Sequence, residues 1–222
     1  MKIRKNIITI AIDSPAAAGA GTQAQLIARR YNLQYLDTGK IYRYIGYLKI
    51  QNKKNFNYYL IKKKISKLKL KELKKKYLVS DEVAVSASII AKDKNIRELV
   101  KNFQYQCAYN PPKIFSGSVL DGRDITSVIM KKAMLKFYIT ANVETRAKRR
   151  YLEFKSLNKK ISYKEVLKSI RNRDYLDKNR KYSPLKKTKD SILINTSKLS
   201  KKACFEKIKA IIDNKLKTNG NL

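Results

Sequence analysis

A doubly wound α/β fold on a parallel five-stranded sheet is the architecture this sequence predicts, and three observations predict it. Five short apolar runs are spaced along the chain, with amphipathic stretches between them. The first run passes through a Gly-containing turn into a helical stretch. Polar residues stand where runs stop: Ser14, Asp37, Asp121 and Thr140. Short apolar runs bounded by turn residues read as parallel strands buried on both faces. In such folds ligands bind at the carboxyl ends of the strands.

The strands are expected at residues 7–12, 35–36, 119–120, 135–139 and 192–194. Helices are expected at 22–31, 41–48, 95–105, 143–155 and 163–179. Residues 201–217 close the chain as an amphipathic helix, with Phe205, Ile208, Ile211 and Ile212 on one face. Two segments interrupt the alternation. Residues 52–77 are lysine-dense, and Ile61, Ile65, Leu68, Leu73 and Tyr77 recur at near-helical spacing. That pattern predicts a solvated helix with one apolar stripe; a nucleic-acid patch is the alternative. Residues 157–184 are polar, rich in Arg and Asp around a helical core, and suit a mobile cover. Residues 110–114, Asn-Pro-Pro-Lys-Ile, read as a loop before the third strand, and 218–222 are expected to fray.

The length of 222 residues suits one compact domain with small subdomains. A hydrophobic content of 43% excludes a disordered chain despite the charge. That charge is +35, from 52 Lys+Arg against 17 Asp+Glu. It is compatible with a polyanion binder, or with compositional drift that draws phosphorylated metabolites as a side effect. A nucleic-acid module lacks a recognised motif here, although Tyr is plentiful. No His exists, so His catalysis and His metal ligation are excluded. Cys107 and Cys204 match no metal spacing and are expected as free thiols of a reducing cytoplasm. Lys2, Arg4 and Lys5 precede an apolar stretch that Thr9 interrupts and Asp13 stops, too short for a signal peptide. No run approaches the roughly 18 apolar residues of a membrane span. A soluble, cytoplasmic protein is expected.

The segment Ser14-Pro15-Ala16-Ala17-Ala18-Gly19-Ala20-Gly21-Thr22 has the outline of a phosphate-binding loop. Such a loop converges backbone N–H groups on phosphate oxygens at the positive end of a helix. Thr22 supplies a hydroxyl suited to Mg²⁺. Ser14 replaces the usual first glycine, and Ala20 stands where the lysine belongs. By itself the segment is also compatible with an ordinary Ala/Gly-rich strand-to-helix turn.

Further on come Leu36-Asp37-Thr38-Gly39-Lys40-Ile41-Tyr42-Arg43, then Asp121-Gly122-Arg123-Asp124-Ile125, the run Glu144 to Arg150, and Arg173-Asp174 with Asp177 and Arg180. Together with the loop, these closely resemble bacterial cytidylate kinases, nearly end to end; only about residues 50–80 match poorly. The resemblance implies a P-loop nucleoside-monophosphate-kinase fold with small NMP-binding and lid subdomains. It implies one domain, with a core of about 1–48, 82–150 and 181–217, an insert of about 49–97 and a lid of about 151–180. It implies ATP and CMP or dCMP as substrates, Mg²⁺ as the accompanying ion, and a monomer.

Residue by residue, the resemblance gives Thr38, Arg43, Arg123 and Arg180 to the CMP phosphate, which suits the bidentate guanidinium fork. Ser88, Arg97 and Asp124 would read the cytosine edge, and Asp177 would hold the sugar hydroxyls. Arg173, Arg180 and Arg149 would be catalytic, with Arg171 a further lid candidate, closing over the transferring phosphate as arginine fingers do. Residues 14–22 would hold ATP, with Thr22 on the metal. At least one of Arg146, Arg149 and Arg150 is expected to pair with a lid carboxylate instead of a ligand. Thr126 stands where the family prefers Gly, Lys131 where Pro is common, and Tyr105 follows Gln104 where an Arg is expected. The monophosphate side is thus better preserved than the triphosphate side. Two activities follow as expectations: phosphoryl transfer from ATP to CMP slowed by Ala20, or a CMP-binding relative without turnover.

Overall fold

The computed structural model describes Arg4 and residues 6–218. The expected fraying of 219–222, and Lys2 and Lys5, therefore lie outside the described residues. Five parallel strands form one sheet: β1 (Ile8–Asp13), β2 (Leu33–Asp37), β3 (Gly117–Gly122), β4 (Leu135–Thr140) and β5 (Ile192–Asn195), in the order β2-β3-β1-β4-β5. The sheet order reverses about β1, which opens a crevice at its carboxyl end. Register places Asp13 beside Gly122 and Tyr138, and Asp37 beside Asp121. Three carboxylates therefore meet at one edge.

Alternation along β1 builds both layers. Ile10 and Ile12 pack with Ala24 and Ile27 of α1 (Ala20–Arg30) and with Ile208 and Ile212 of α8 (Lys201–Thr218). Ala11 faces the other way, onto Ile41 and Ile45 of α2 (Gly39–Gln51) and Val100 of α5 (Lys94–Tyr109). Burial on both faces explains the continuous apolar reading of this strand.

The lysine-dense segment differs from its expectation. Helix α3 covers only Tyr58–Ser66, followed by 3₁₀ turns over Leu70–Lys74 and Lys76–Val79. Ile61, Ile65, Leu68 and Leu73 are nonetheless buried in the same core, and Tyr77 stacks on Tyr47 at 4.1 Å. The apolar spacing reported burial correctly except at Tyr77, which is exposed, and the backbone leaves the helix at Lys67 instead of continuing as one helix. A further helix, α4 (Asp81–Ile90), was not expected. Its Ser80 cap accepts from Val83 N, and it crosses α2 so closely that a Cβ on Gly46 would stand 2.9 Å from Ala87 N.

Helices α6 (Val143–Ser156) and α7 (Tyr163–Asn179) pack on each other through a separate small core of Ala147, Val166 and Ile170. Ser162 and Glu165 form a reciprocal capping box that starts α7. The loop at 110–114 is tied down by Arg4, whose Nη1 donates to Phe115 O at 2.9 Å. Among the described residues no helix is long and apolar enough to cross a membrane.

Candidate active site

The turn after β1 is a built loop. Ser14 N donates to Gly122 O at 3.1 Å, Ala17 has φ 60° and Gly19 φ 90°. A left-handed residue before the helix is why glycine stands at position 19. Helix α1 opens at Ala20, and its first turn leaves N–H groups without intrahelical partners. Two loop carbonyls are held from outside: Ala16 O by Arg146 Nη1 at 3.0 Å and Ala18 O by Thr196 Oγ1 at 3.1 Å. Below the loop, Asp13 accepts from Ile125 N, Thr126 N and Thr126 Oγ1 at 2.6–2.9 Å. Burial pushes the Asp13 carboxyl up to about 6 in spite of these bonds. Thr126, out of pattern in sequence, thus anchors the floor of the loop.

On the other side of the crevice, Thr38 Oγ1 donates to Asp121 O at 2.8 Å, fixing the start of α2 against the end of β3. Arg43, one turn into α2, donates from Nη1 to Leu78 O at 2.9 Å. Arg97 on α5 forms a buried ion pair with Asp124, donates to Ala91 O at 3.0 Å and lies 5.4 Å above the Tyr42 ring. Ser88 is exposed on α4 and donates to Ala84 O. Arg123 Nε donates to Asp177 Oδ2 at 2.7 Å. Arg180 lies 3.7 Å from Asp124 and 3.8 Å from Asp177, and its buried Nη2 has no hydrogen-bond partner. These groups and the loop line one cavity of about 550 Å³.

Arg173 reaches the same cavity from α7 and makes no hydrogen bond or ion pair among the described residues. Arg173 is an exposed residue on the cavity wall, with other arginines crowded near it. Burial, then the like charges of Arg123, Arg43 and Arg150, lower it to about 10, offset in part by Asp177. It stays charged at neutral pH, and an anion placed among these groups would relieve the repulsion. Arg149 lines the cavity too, but is engaged by Thr196, with Nη1 on Oγ1 at 2.9 Å and Nη2 on O at 2.7 Å. Arg171 is exposed and meets Glu144 at 3.4 Å.

The oxygen donors near the loop fit a hard cation. Thr22 is exposed at the opening of α1. A Cβ on Gly21 would lie 3.5 Å from Asp121 Oδ2 and 3.4 Å from the Tyr35 hydroxyl. Asp121 Oδ1 is buried without a hydrogen-bond partner. Burial and then the charge of Asp37 raise the Asp121 carboxyl, and a cation would reverse that cost.

A family model for cytidylate kinase matches residues 10–214. The chain belongs to the cytidylate kinase family. A cytidylate kinase of Clostridium tetani is 39% identical over 224 residues, spanning 93% of this chain and 94% of its own. One from Bartonella henselae is 42% identical over 210 residues, spanning 92% and 94%. A crystal structure of an uncharacterized protein from Eubacterium ventriosum aligns at TM-score 0.53 and 19% identity, over 93% of this chain and 98% of that one, and shares the fold.

Within this cytidylate kinase fold, some residues that matter to the site were given no ligand-binding role from the sequence. Arg146 is buried and joins three elements, and it pairs with a carboxylate of α7, Asp174, at 2.5 Å. Thr196, beyond β5, had no motif to flag it; Tyr42, under Arg97, stood within the Leu36–Arg43 motif but was given no role there. Their signal was positional: Thr196 lies just past a strand end and Tyr42 one residue before Arg43.

Proposed function

We propose that this protein transfers the γ-phosphoryl group of ATP to CMP or dCMP, giving the nucleoside diphosphate. The observation that carries the reading is the convergence of Arg43, Arg123, Arg173 and Arg180 on the cavity that the phosphate loop also lines. A CMP phosphate oxygen attacks the γ-phosphorus as the bond to the β,γ-bridging oxygen breaks, so no protein nucleophile is required. The protein's work is positioning and charge neutralisation.

In this reading Arg43, Arg123 and Arg180, with Thr38, hold the acceptor phosphate. Ser88, Arg97 and Asp124 face the cytosine edge, and Asp177 the sugar. Arg173 sits free to meet charge that develops on the transferring group. Residues 14–22 cradle the donor phosphates through N–H groups at the start of α1. Thr22 and Asp121 would hold Mg²⁺, which would supply charge neutralisation for the donor phosphates. Residues 49–97 form the acceptor-side insert and 151–180 the lid.

Ala20 favours a second reading, a CMP binder without turnover, because the loop lacks the cation that usually faces the donor phosphates. One experiment separates the two. ATP, Mg²⁺ and CMP are incubated with the protein, CDP is followed, and CMP binding is measured by calorimetry in parallel. CDP formation supports the kinase; binding without CDP supports the second reading; the absence of both CDP formation and CMP binding overturns the two together.

A further inference from the structure

Arg146 occupies a position that the roles above leave unused. It is 5% exposed, and its guanidinium bonds in three directions. Nε donates to Ala141 O beyond β4 at 2.9 Å, Nη1 to Ala16 O of the phosphate loop at 3.0 Å, and Nη2 to Asp174 of α7 at 2.5 Å. Asp174 adjoins Arg173, so the residue that seats the free arginine on the lid is bonded to the loop through one side chain. A second contact runs parallel to it. Ala17, held at φ 60°, packs against the small core of α6 and α7 made by Ala147, Val166 and Ile170. An L-residue avoids that backbone conformation, and glycine would adopt it freely. The methyl group is therefore kept at a strained position where it touches the lid.

We propose that Arg146, through Asp174 and beside the Ala17 methyl, couples the seating of the lid helices to the shape of the phosphate loop. Arg146 is thus a positioning residue, and Asp174 and Ala17 are its partners. The physical basis is that α7 cannot move away without stranding a buried guanidinium, and a buried charge that loses its partner is costly. Withdrawal of α7 would free Arg146 to shift and release Ala16 O. On the acceptor side the same helix is held by Asp177 on Arg123, so closure over CMP would firm the donor loop. This coupling rests on the proposed CMP-binding reading.

The test is calorimetric and uses the full chain. Affinity for a non-hydrolysable ATP analogue with Mg²⁺ is measured with and without saturating CMP, in the parent, Asp174→Asn and Ala17→Gly. CMP is expected to tighten the analogue several-fold in the parent. In both variants that factor should fall towards one, with affinity for CMP alone within about twofold of the parent. Ala17→Gly guards against simple unfolding, since glycine relaxes the backbone there. Undiminished coupling in both variants, or none in the parent, overturns the inference while the CMP site stands. A parent that does not bind CMP sinks the proposed function and this coupling together.

Discussion

Arg123 and Asp177 meet across the cleft, Nε to Oδ2 at 2.7 Å, and so join the end of β3 to α7. The same carboxylate lies 3.8 Å from Arg180, so one acid stands between two of the four guanidinium groups proposed for phosphate. Removing its charge has opposite effects on two ligands. Asp177→Asn should weaken CMP by roughly 10–100-fold, the loss of one charge-assisted contact set. Inorganic phosphate, which needs only the arginines, should bind as well as before or better. Calorimetry with both ligands checks this; equal weakening of the two would show that Asp177 only holds the fold.

Arg97 and Asp124 form a buried ion pair, with side chains 8% and 7% exposed. Truncating one partner strands the other. Arg97→Ala should therefore cost about 3–5 kcal/mol of stability. Asp124→Asn keeps a hydrogen-bonding surface and should cost less, but it alters the group proposed to meet the cytosine amino edge. The expected result is a tenfold or greater loss of preference for CMP over UMP in Asp124→Asn, with a melting temperature above that of Arg97→Ala. Competition binding and thermal melts read both.

Ala20 is 4% exposed and packs with Ala18 and Ala24, yet it also lines the cleft. In the proposed reading, a lysine there would add a cation beside the donor phosphates. One electrostatic partner of a developing charge is typically worth on the order of 10²–10³ in rate. Ala20→Lys should therefore raise CDP formation at least tenfold at saturating ATP and CMP. A flat rate with an unchanged melting temperature would show that the loop does not lack a cation.

The parts of the fold that were legible share one physical origin. Runs such as Ile8–Asp13 and Leu135–Thr140 are buried on both faces, so their apolar composition cannot be anything but strand or buried helix, and their length decides. Strand-end acids such as Asp37 and Asp121 were legible because register aligns strand ends. Helix α4 was not, since its residues are apolar on more than one side: Val83 and Ala87 are buried while Val85 and Ile89 are exposed. The roles of Arg146 and Arg149 were equally hidden. Both stand in a run of basic residues, and only the tertiary placement of Ala16 O and Thr196 O separates a buried brace from a surface charge.

Asp121 links the site to pH. Its carboxyl is raised by burial and then by Asp37, so the folded chain holds a proton that the unfolded chain releases near 3.8. Stability contributed here is greatest below 3.8 and falls as pH rises through the higher folded value. Asp121→Asn removes that charge. Its melting temperature should match the parent at low pH and exceed it by a margin that grows towards neutrality. The cost is functional, because Asp121 is the carboxylate facing Gly21 at the opening of α1. Mg²⁺ with ATP should stabilise the parent at neutral pH and stabilise Asp121→Asn distinctly less. Melts from acid to mildly alkaline pH, with and without Mg²⁺-ATP, measure both effects; a margin independent of pH would mean that the carboxyl is not the group being titrated.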